Sequence, residues 1–252
     1  MKKYLLNLVV ILNSLITSAQ SDFVIDSLIR EEITITLQDK KTIKSKLHNK
    51  FFLTANYGFG HRTADIENNI PQLERDFQQK LKSGNSFQFK GVIKHNEFFY
   101  YGLTYSNFTS SASLNDIIYT EPTGLEGIGN TNQTNTINYF GLVAGFYIDL
   151  FSRRDTYCFD LSLGYINYSE KRQFYNMYEA TAGDLGVSFD LSYYFGLTKN
   201  FKIGPTFSFS GGAIKKYEIN GSNGYYSKVK FDENTFLSLY RIDLMIGTYF
   251  QL

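Results

Sequence analysis

From residue 51 onward, the chain is a series of segments in which apolar and polar side chains alternate with a period of two. The last segment shows this well, with Leu244 and Ile246 on one face and Arg241 and Asp243 on the other. A period of two predicts a β-strand that has one apolar and one polar face. Eight such strands are predicted, at residues 51–62, 87–95, 98–109, 136–151, 157–168, 185–196, 201–214 and 236–252.

The connections between these strands alternate in length. Three are short turns, at 96–97, 152–155 and 197–200, and four are long, at 63–86, 110–135, 169–184 and 215–235. Short turns at one end and long loops at the other, with an even number of strands, are typical of transmembrane β-barrels, whose turns are periplasmic and whose loops are extracellular. The pattern therefore predicts an all-β fold, an eight-stranded antiparallel up-and-down transmembrane β-barrel formed by residues 51–252.

The composition of the two faces indicates which one meets lipid. The apolar face is rich in Phe and Tyr, of which the chain has 23 and 20, whereas Trp is absent. Eight strands could hardly pack so many rings inside one small barrel, so we expect this face to lie against lipid. The alternative is a soluble exported barrel that buries its aromatic face and binds an apolar ligand.

The polar face carries many Gly and Ser residues and a small set of charged ones. Because an unpaired charge inside a barrel is costly, these charged side chains are expected to form a buried network. Eight strands leave an interior just wide enough for side chains, so the network is predicted to plug the lumen, with a narrow gated pore as the alternative. The predicted network consists of Lys90, Asp160, Asp190, Arg241 and Asp243.

The first fifty residues differ in composition from the predicted barrel. Residues 1–19 have a basic start, a short apolar run and a small-residue exit, which is the layout of a secretory signal peptide cleaved after Ala19. Residues 20–50 are rich in Lys, Asp, Glu and Ile and are predicted to be a periplasmic leader, or else a segment that docks on a partner. The mature protein is therefore expected to be exported.

The charge and the cysteine content exclude some classes of function. A formal net charge of +1 argues against nucleic acid as a partner, because binding to phosphates needs concentrated Lys and Arg. The single cysteine, Cys158, cannot form an internal disulfide and is expected to be a packed small residue of a strand.

From Phe51 to Leu252 the chain resembles the eight-stranded outer-membrane β-barrels of the OmpA and OmpX type. The closing strand, with Tyr249, Phe250 and Leu252 near its end, is similar to the closing strand of such barrels, whose terminal aromatic residue is read by the barrel-assembly machinery. The resemblance implies a location in the cell outer membrane and contacts with outer-membrane lipids and lipopolysaccharide. It implies a structural or surface-interaction role, with any envelope protein partner unknown.

No catalytic or metal-binding constellation stands out in the sequence. The three histidines, His48, His61 and His95, lie in different regions without metal-ligand spacing, and no cofactor is expected. The one nucleophile and base that can be assembled is His61 with Ser110 or Ser111, near the outer rim of the barrel. This pairing would fit a second hypothesis, an outer-membrane enzyme that modifies lipid acyl chains, but a non-enzymatic barrel is the leading interpretation.

The long loops carry the remaining signals. In the first loop, Ile70, Leu73, Phe77 and Leu81 recur at helical spacing between Pro71 and Gly84, which predicts a short amphipathic helix over the barrel mouth or on a partner. The third loop has Phe174, Tyr175 and Tyr178, an aromatic set of the kind found in contact surfaces. The last loop contains Asn220-Gly221, which predicts a hairpin turn, near Tyr217, Tyr225 and Tyr226.

Overall fold

The computed structural model describes residues 51–64, 66, 70–120, 126–150, 155–173, 177–222, 224–231 and 236–252. The signal peptide at 1–19 and the leader at 20–50 lie outside these residues and stay predictions. The elements, in chain order, are β1 (Phe51–Arg62), α1 (Gln72–Leu81), β2 (Ser83–Lys94), β3 (Phe99–Thr120), β4 (Glu126–Leu150), β5 (Asp155–Gln173), β6 (Met177–Gly196), β7 (Phe201–Ile214), β8 (Lys216–Gly221), β9 (Tyr226–Lys230), β10 (Leu237–Ser238) and β11 (Arg241–Gln251).

Eight of the strands close into a ring. Each of β1 to β7 pairs antiparallel with its neighbour in sequence, β11 pairs with β7, and β1 pairs with β11. The closing register runs from Phe52 opposite Gln251 to Arg62 opposite Arg241. The predicted up-and-down eight-stranded barrel is therefore confirmed.

The connections at one end of the barrel, here called the turn end, are short because polar side chains hold the backbone. Asn96 Oδ1 accepts hydrogen bonds from the N–H groups of Phe98 and Phe99, at 2.9 and 2.7 Å. Thr198 Oγ1 accepts one from the N–H of Phe201 at 3.0 Å. Such side-chain to backbone bonds stabilise tight turns locally. The predicted turn at 152–155 lies mostly outside the described residues.

At the opposite end, here called the loop end, the connections are long as predicted, but two of the four are paired extensions of the strands. β3 and β4 remain paired up to Thr120 opposite Glu126, and β5 and β6 remain paired up to Gln173 opposite Met177. These extensions were not predicted, because the outward side chains of these segments are polar, as at Ser111 opposite Thr134, so they lack the apolar alternation that marks a strand. The sheet thus continues well past the ring.

The last connection contains the predicted hairpin, but its turn lies further along the chain. β8 and β9 pair from Lys216 opposite Lys230 to Asn220 opposite Tyr226, and the turn follows Gly221. Gly224 adopts a φ of +81°, which favours glycine. Lys228 Nζ donates to Glu218 Oε1 at 2.8 Å. This bond lowers the pKa of the Glu218 carboxyl and raises the pKa of the Lys228 ammonium.

The predicted helix in the first connection is confirmed as α1, and its apolar side lies against the barrel wall. Pro71 precedes its first turn, and Phe77 and Leu81 are buried against Ala112 of β3. The helix ends at Leu81 with Lys82 as its C-cap, and Gly84, which was predicted to follow the end of the helix, belongs to β2. Among the described residues, no helix is both long and apolar enough to cross a membrane.

The predicted last strand, 236–252, is divided in the structure. β10 pairs only with the end of β7, where Leu237 lies opposite Ile214, and β11 begins at Arg241. Leu239 between them is buried, and its N–H donates to Gly212 O at 3.0 Å. The alternation of faces is kept through the break, so the predicted phase of the strand holds.

Candidate functional site in the lumen and at the rim

The outer surface of the ring is an apolar belt. Outward side chains on every strand are large and exposed, for example Leu163 at 61%. The inward side chains of the same strands include charged and hydroxyl groups that are almost fully buried, such as Lys90 and Asp160. This distribution is the inverse of a water-soluble barrel and is that of an outer-membrane β-barrel, which has an apolar exterior and a polar interior. The chain is therefore a transmembrane barrel of the outer-membrane type.

Asparagines mark the border of the belt at the loop end. Tyr105 lies opposite Phe140 as an outward aromatic pair, and Asn107 and Asn138 are opposite each other one step beyond. Asn107 Nδ2 donates to Asn138 Oδ1 at 2.8 Å, and Asn138 in turn lies opposite Asn167 of β5. Aromatic rings followed by polar groups are typical of the membrane–water interface.

The first charged group in the lumen has Lys90 between two carboxylates. Asp160 and Asp190 lie directly opposite each other on β5 and β6, where like charges destabilise a sheet. Lys90 Nζ lies 2.8 Å from Asp190 Oδ2 and also pairs with Asp160, and these side chains are at most 3% exposed. Tyr100 donates to Asp160, and Gln88 donates to Asp190 at 3.0 Å. One lysine and neutral donors therefore stabilise both carboxylates.

The second charged group lies nearer the loop end. Arg241 Nε donates to Asp243 Oδ2 at 3.0 Å, and Arg241 Nη2 donates to Ser106 Oγ at 2.8 Å. Ser86 Oγ donates to the other oxygen of Asp243 at 2.6 Å, and the guanidinium lies over the ring of Phe108. The five predicted charged residues are thus all buried, but the structure divides them into two groups rather than one network.

A third charged group, at the turn end, was not part of the predicted network. Lys202 Nζ lies 3.1 Å from Asp149 Oδ1, and Lys94 Nζ lies 3.9 Å from Asp149 Oδ2. The two ammonium groups also lie over rings, Lys94 over Tyr147 at 4.1 Å and Lys202 over Tyr249 at 5.1 Å. Alternation could have found these residues, because Lys94 shares the phase of Lys90 on β2.

Aromatic side chains also fill much of the lumen, for which the sequence predicted Gly, Ser and charged residues. Phe52 stacks on Tyr249 with ring centroids 4.6 Å apart and meets the edge of Tyr100 at 5.0 Å. Consecutive aromatic residues such as Tyr100 and Tyr101 place one ring on each face of the strand. Because both count as apolar, the pattern of apolar and polar residues does not show which ring points inward. The buried inward rings are Phe52, Tyr100, Phe108, Tyr139, Tyr147, Tyr168, Tyr194 and Tyr249.

The residues of the predicted assembly signal lie on both faces of β11. Tyr249 points into the lumen with no exposed surface, whereas Phe250 and Leu252 are exposed on the outside. Their reading by the barrel-assembly machinery stays a prediction.

The structure does not bring His61 together with Ser110 or Ser111, the candidate pair for an enzyme. His61 Nδ1 lies 2.9 Å from Ser83 Oγ, its neighbour in the β1–β2 register. Ser110 is buried and donates to Leu81 O at 2.7 Å, and Ser111 bonds to Thr134. No carboxylate in the described part of the chain bonds to His61, so the orienting acid of a triad is absent there.

The predicted loop-interaction residues lie in different environments. Phe77 and Leu81 are buried inside the chain against β3, the first of the two alternatives for the helix. Tyr178 is half-buried, with its ring centroid 6.4 Å from that of Tyr225. Phe174 and Tyr175 lie outside the described residues. Among the described residues, no group of three or more His, Cys, Asp or Glu could hold a metal ion.

Replacing Lys90 with Met should destabilise the barrel by about 3–5 kcal/mol, because it leaves Asp160 and Asp190 buried without their cation. Urea unfolding in lipid vesicles, followed by the faster-migrating folded band on an unheated gel, measures the change. Adding D160N and D190N to K90M should recover most of the loss. K228M removes an exposed pair and should leave the midpoint unchanged; equal midpoints for K90M and K228M would contradict the prediction.

Gly145→Ala should lower the stability of the barrel by about 1–3 kcal/mol through overpacking. A methyl group at Gly145 would overlap the Asp160 carboxylate and lie 2.7 Å from Tyr100 Cζ. Gly91→Ala is the matched control, since its methyl group would make ordinary contacts at 3.5 Å or more with Leu53 and Phe51. The same unfolding assay should separate the two variants, and a lumen with free space would tolerate both equally.

Comparisons with known proteins give the following similarities. No protein-family model matches the chain, and no curated protein matches it. The outer membrane protease OmpT from Escherichia coli is 14% identical with a TM-score of 0.42, over 68% of this chain and 65% of that one, so the chain spans about two thirds of its length. Neisserial surface protein A is 12% identical with a TM-score of 0.46, over 81% and 97% of the two chains. A major outer membrane protein from Thermus thermophilus is 12% identical with a TM-score of 0.49, over 81% and 98%. With TM-scores below 0.5, the barrel assignment rests on the strand pairing and the distribution of side chains.

Proposed function

We propose that the protein is a non-enzymatic outer-membrane barrel whose lumen is closed by side chains and whose loop end is an extracellular interaction surface. The main support for a closed lumen is that three charged groups, at different heights in the barrel, connect strands on different sides of the lumen. In the ring, β2 and β6 stand opposite each other, and Lys90 reaches Asp190 across the lumen. Arg241 of β11 likewise donates to Ile137 O of β4, at 3.4 Å.

The remaining interior offers little room for a water column. At Gly60, even a methyl group would overlap Asp243 and lie 2.7 Å from Phe108. Near the turn end, Tyr194 OH donates to Asn56 Oδ1 at 3.1 Å, and the Tyr194 ring lies 5.6 Å from that of Tyr249. Eight-stranded barrels have an interior just wide enough for side chains. A structural plug therefore fits this interior better than a gated pore.

The interaction surface is the part of the sheet beyond the asparagine border, here called the extracellular wall. In outer-membrane barrels the short turns are periplasmic and the longer connections extracellular, which assigns the loop end to the cell exterior. Outward residues there are polar, with Ser111 and Thr134 as examples, so this wall faces water. Around the apolar belt the partners are outer-membrane lipids and lipopolysaccharide, and the barrel-assembly machinery is the partner during insertion.

The purified protein should give no stable single-channel steps in planar lipid bilayers, because the cross-lumen ion pairs leave no continuous aqueous path. The measurement is valid for preparations that show the heat-dependent gel shift of a folded barrel. Large and stable conductance steps from such preparations would overturn the closed lumen.

Single-cysteine labelling in intact cells tests the orientation. Ser111→Cys should react with a membrane-impermeant maleimide, because Ser111 is exposed on the extracellular wall. Leu163→Cys should not react, since lipid covers the belt, and the unaltered protein gives the blank because Cys158 is buried. Reaction of both variants would indicate a water-soluble barrel. Reaction of Ser111→Cys only after cell lysis would indicate the inverse orientation.

A further inference from the structure

The extracellular wall encloses a cavity of about 880 Å³ on the inner side of β5, β6 and β8. This volume lies in the range of small-molecule sites, roughly 300–1,000 Å³. The cavity exists where two small inward residues, Ala180 and Ala182, follow each other on β6 between larger neighbours. Ala180 lies opposite Glu170 of β5 on one side and opposite Ile219 of β8 on the other. We call this space the extracellular cavity.

Aromatic pairs form the apolar sides of the extracellular cavity. Tyr178 meets Tyr225 edge to face, with centroids 6.4 Å apart, and Tyr217 lies 5.5 Å from Phe231. All four rings line the cavity, together with Ile219. Rings that line a concave site supply contact area at low conformational cost, and they suit an aromatic or short aliphatic body.

A polar strip of β5 lines the remaining side. Arg172 donates from Nε and Nη2 to the neutral oxygen Oε1 of Gln133, at 3.0 and 2.6 Å. Its Nη2 lies 3.3 Å from Glu170 Oε1, and the other carboxylate oxygen of Glu170 accepts from Tyr168 OH at 2.9 Å. The Arg172 side chain is still half-exposed, and its Nη1 has no hydrogen-bond partner in the described part of the chain. Arg172 therefore retains donor capacity for an incoming acceptor.

A second guanidinium, that of Arg62, lies next to a residue that lines the cavity. Arg62 is 8% exposed, and its Cζ lies 5.8 Å from the ring centroid of Tyr168, a lining residue. Its Nη2 donates to Ser238 O at 3.2 Å, but its Nε is buried without a partner. No carboxylate among the described residues forms an ion pair with Arg62. The buried guanidinium of Arg62 therefore contributes positive potential next to the lining ring of Tyr168.

We propose that the extracellular cavity binds a small amphipathic anion, one carboxylate on an aromatic or short aliphatic body. The carboxylate of the ligand accepts a charge-assisted hydrogen bond from Nη1 of Arg172. The body of the ligand packs between the Tyr178–Tyr225 and Tyr217–Phe231 pairs, and Arg62 adds positive potential next to Tyr168. This inference rests on the proposed extracellular placement of the loop end.

The test uses the full protein in phosphatidylcholine nanodiscs and the probe 4-fluorophenylacetate, followed by fluorine NMR. A saturable shift absent from empty nanodiscs is expected. The neutral analogue 4-fluorophenylacetamide should bind at least about tenfold more weakly, because a hydrogen bond to a charged group contributes about 1.5–3 kcal/mol. Equal binding of acid and amide would overturn the anion preference.

Three variants place the probe in the cavity. Arg172→Gln should weaken binding of the acid at least about tenfold without changing that of the amide. Ala180→Phe should abolish binding of both by filling the space. Lys171→Gln is the matched control, since it removes one positive charge from the outer face of the same strand, where Lys171 pairs with Glu179. Loss of binding in Lys171→Gln equal to that in Arg172→Gln would overturn the proposal.

The gel shift separates failure of this inference from failure of the proposed function. Wild-type protein that shows the shift but no saturable signal refutes the ligand site alone. Wild-type protein without the shift counts against the barrel itself. If Ala180→Phe does not fold, the comparison of acid with amide and that of Arg172→Gln with Lys171→Gln still decide the outcome.

Discussion

The closing pair between β1 and β11 is the interaction on which the rest of the structure depends. In lipid, a strand edge with unpaired N–H and C=O groups costs several kcal/mol for each group, so only a closed sheet crosses the membrane with strands. The pair runs unbroken from Phe52 to Arg62 on β1. Gly58 permits it, because a methyl group there would overlap the backbone of Leu244 and Met245. Closure also separates an outer face that meets lipid from an inner face whose polar and charged side chains must find partners among themselves.

The inner face shows the consequence. The register that closes the ring places Asp160 opposite Asp190, which by itself is unfavourable. Lys90 offsets this from the opposite wall, and it is far from both aspartates in sequence. Lys90 and the two aspartates therefore depend on one another, because without the lysine each carboxylate would be a buried charge with no cation. Other buried groups also join separate strands: Arg241 of β11 donates to Ile137 O of β4 near one end, and Lys202 of β7 pairs with Asp149 of β4 near the other.

Alternation predicted the barrel because lipid imposes a two-residue period on every crossing strand. It also predicted that the charges of residues such as Lys90 and Asp160 lie inside, since burial follows from the phase alone. It could not assign partners, because these depend on which strands face each other across the ring. It missed the upper parts of β3 to β6, where water on the outside removes the apolar period. It did not predict that aromatic rings fill the lumen, as those of Tyr100 and Tyr194 do.

The extracellular wall arises where closure stops. Pairing of β2 with β3 ends at Asn85 opposite Thr109, whereas pairing of β3 with β4 continues to Thr120. Above the end of the β2–β3 pairing, the described strands no longer close into a ring, so the extended sheet has an inner face that the ring does not enclose. Helix α1 covers part of this face, with Phe77 and Leu81 against Ala112. Where α1 does not reach, aromatic and charged side chains of β5, β6 and β8 line an open cavity. A cavity at this level is therefore a direct result of ending the ring before the sheet.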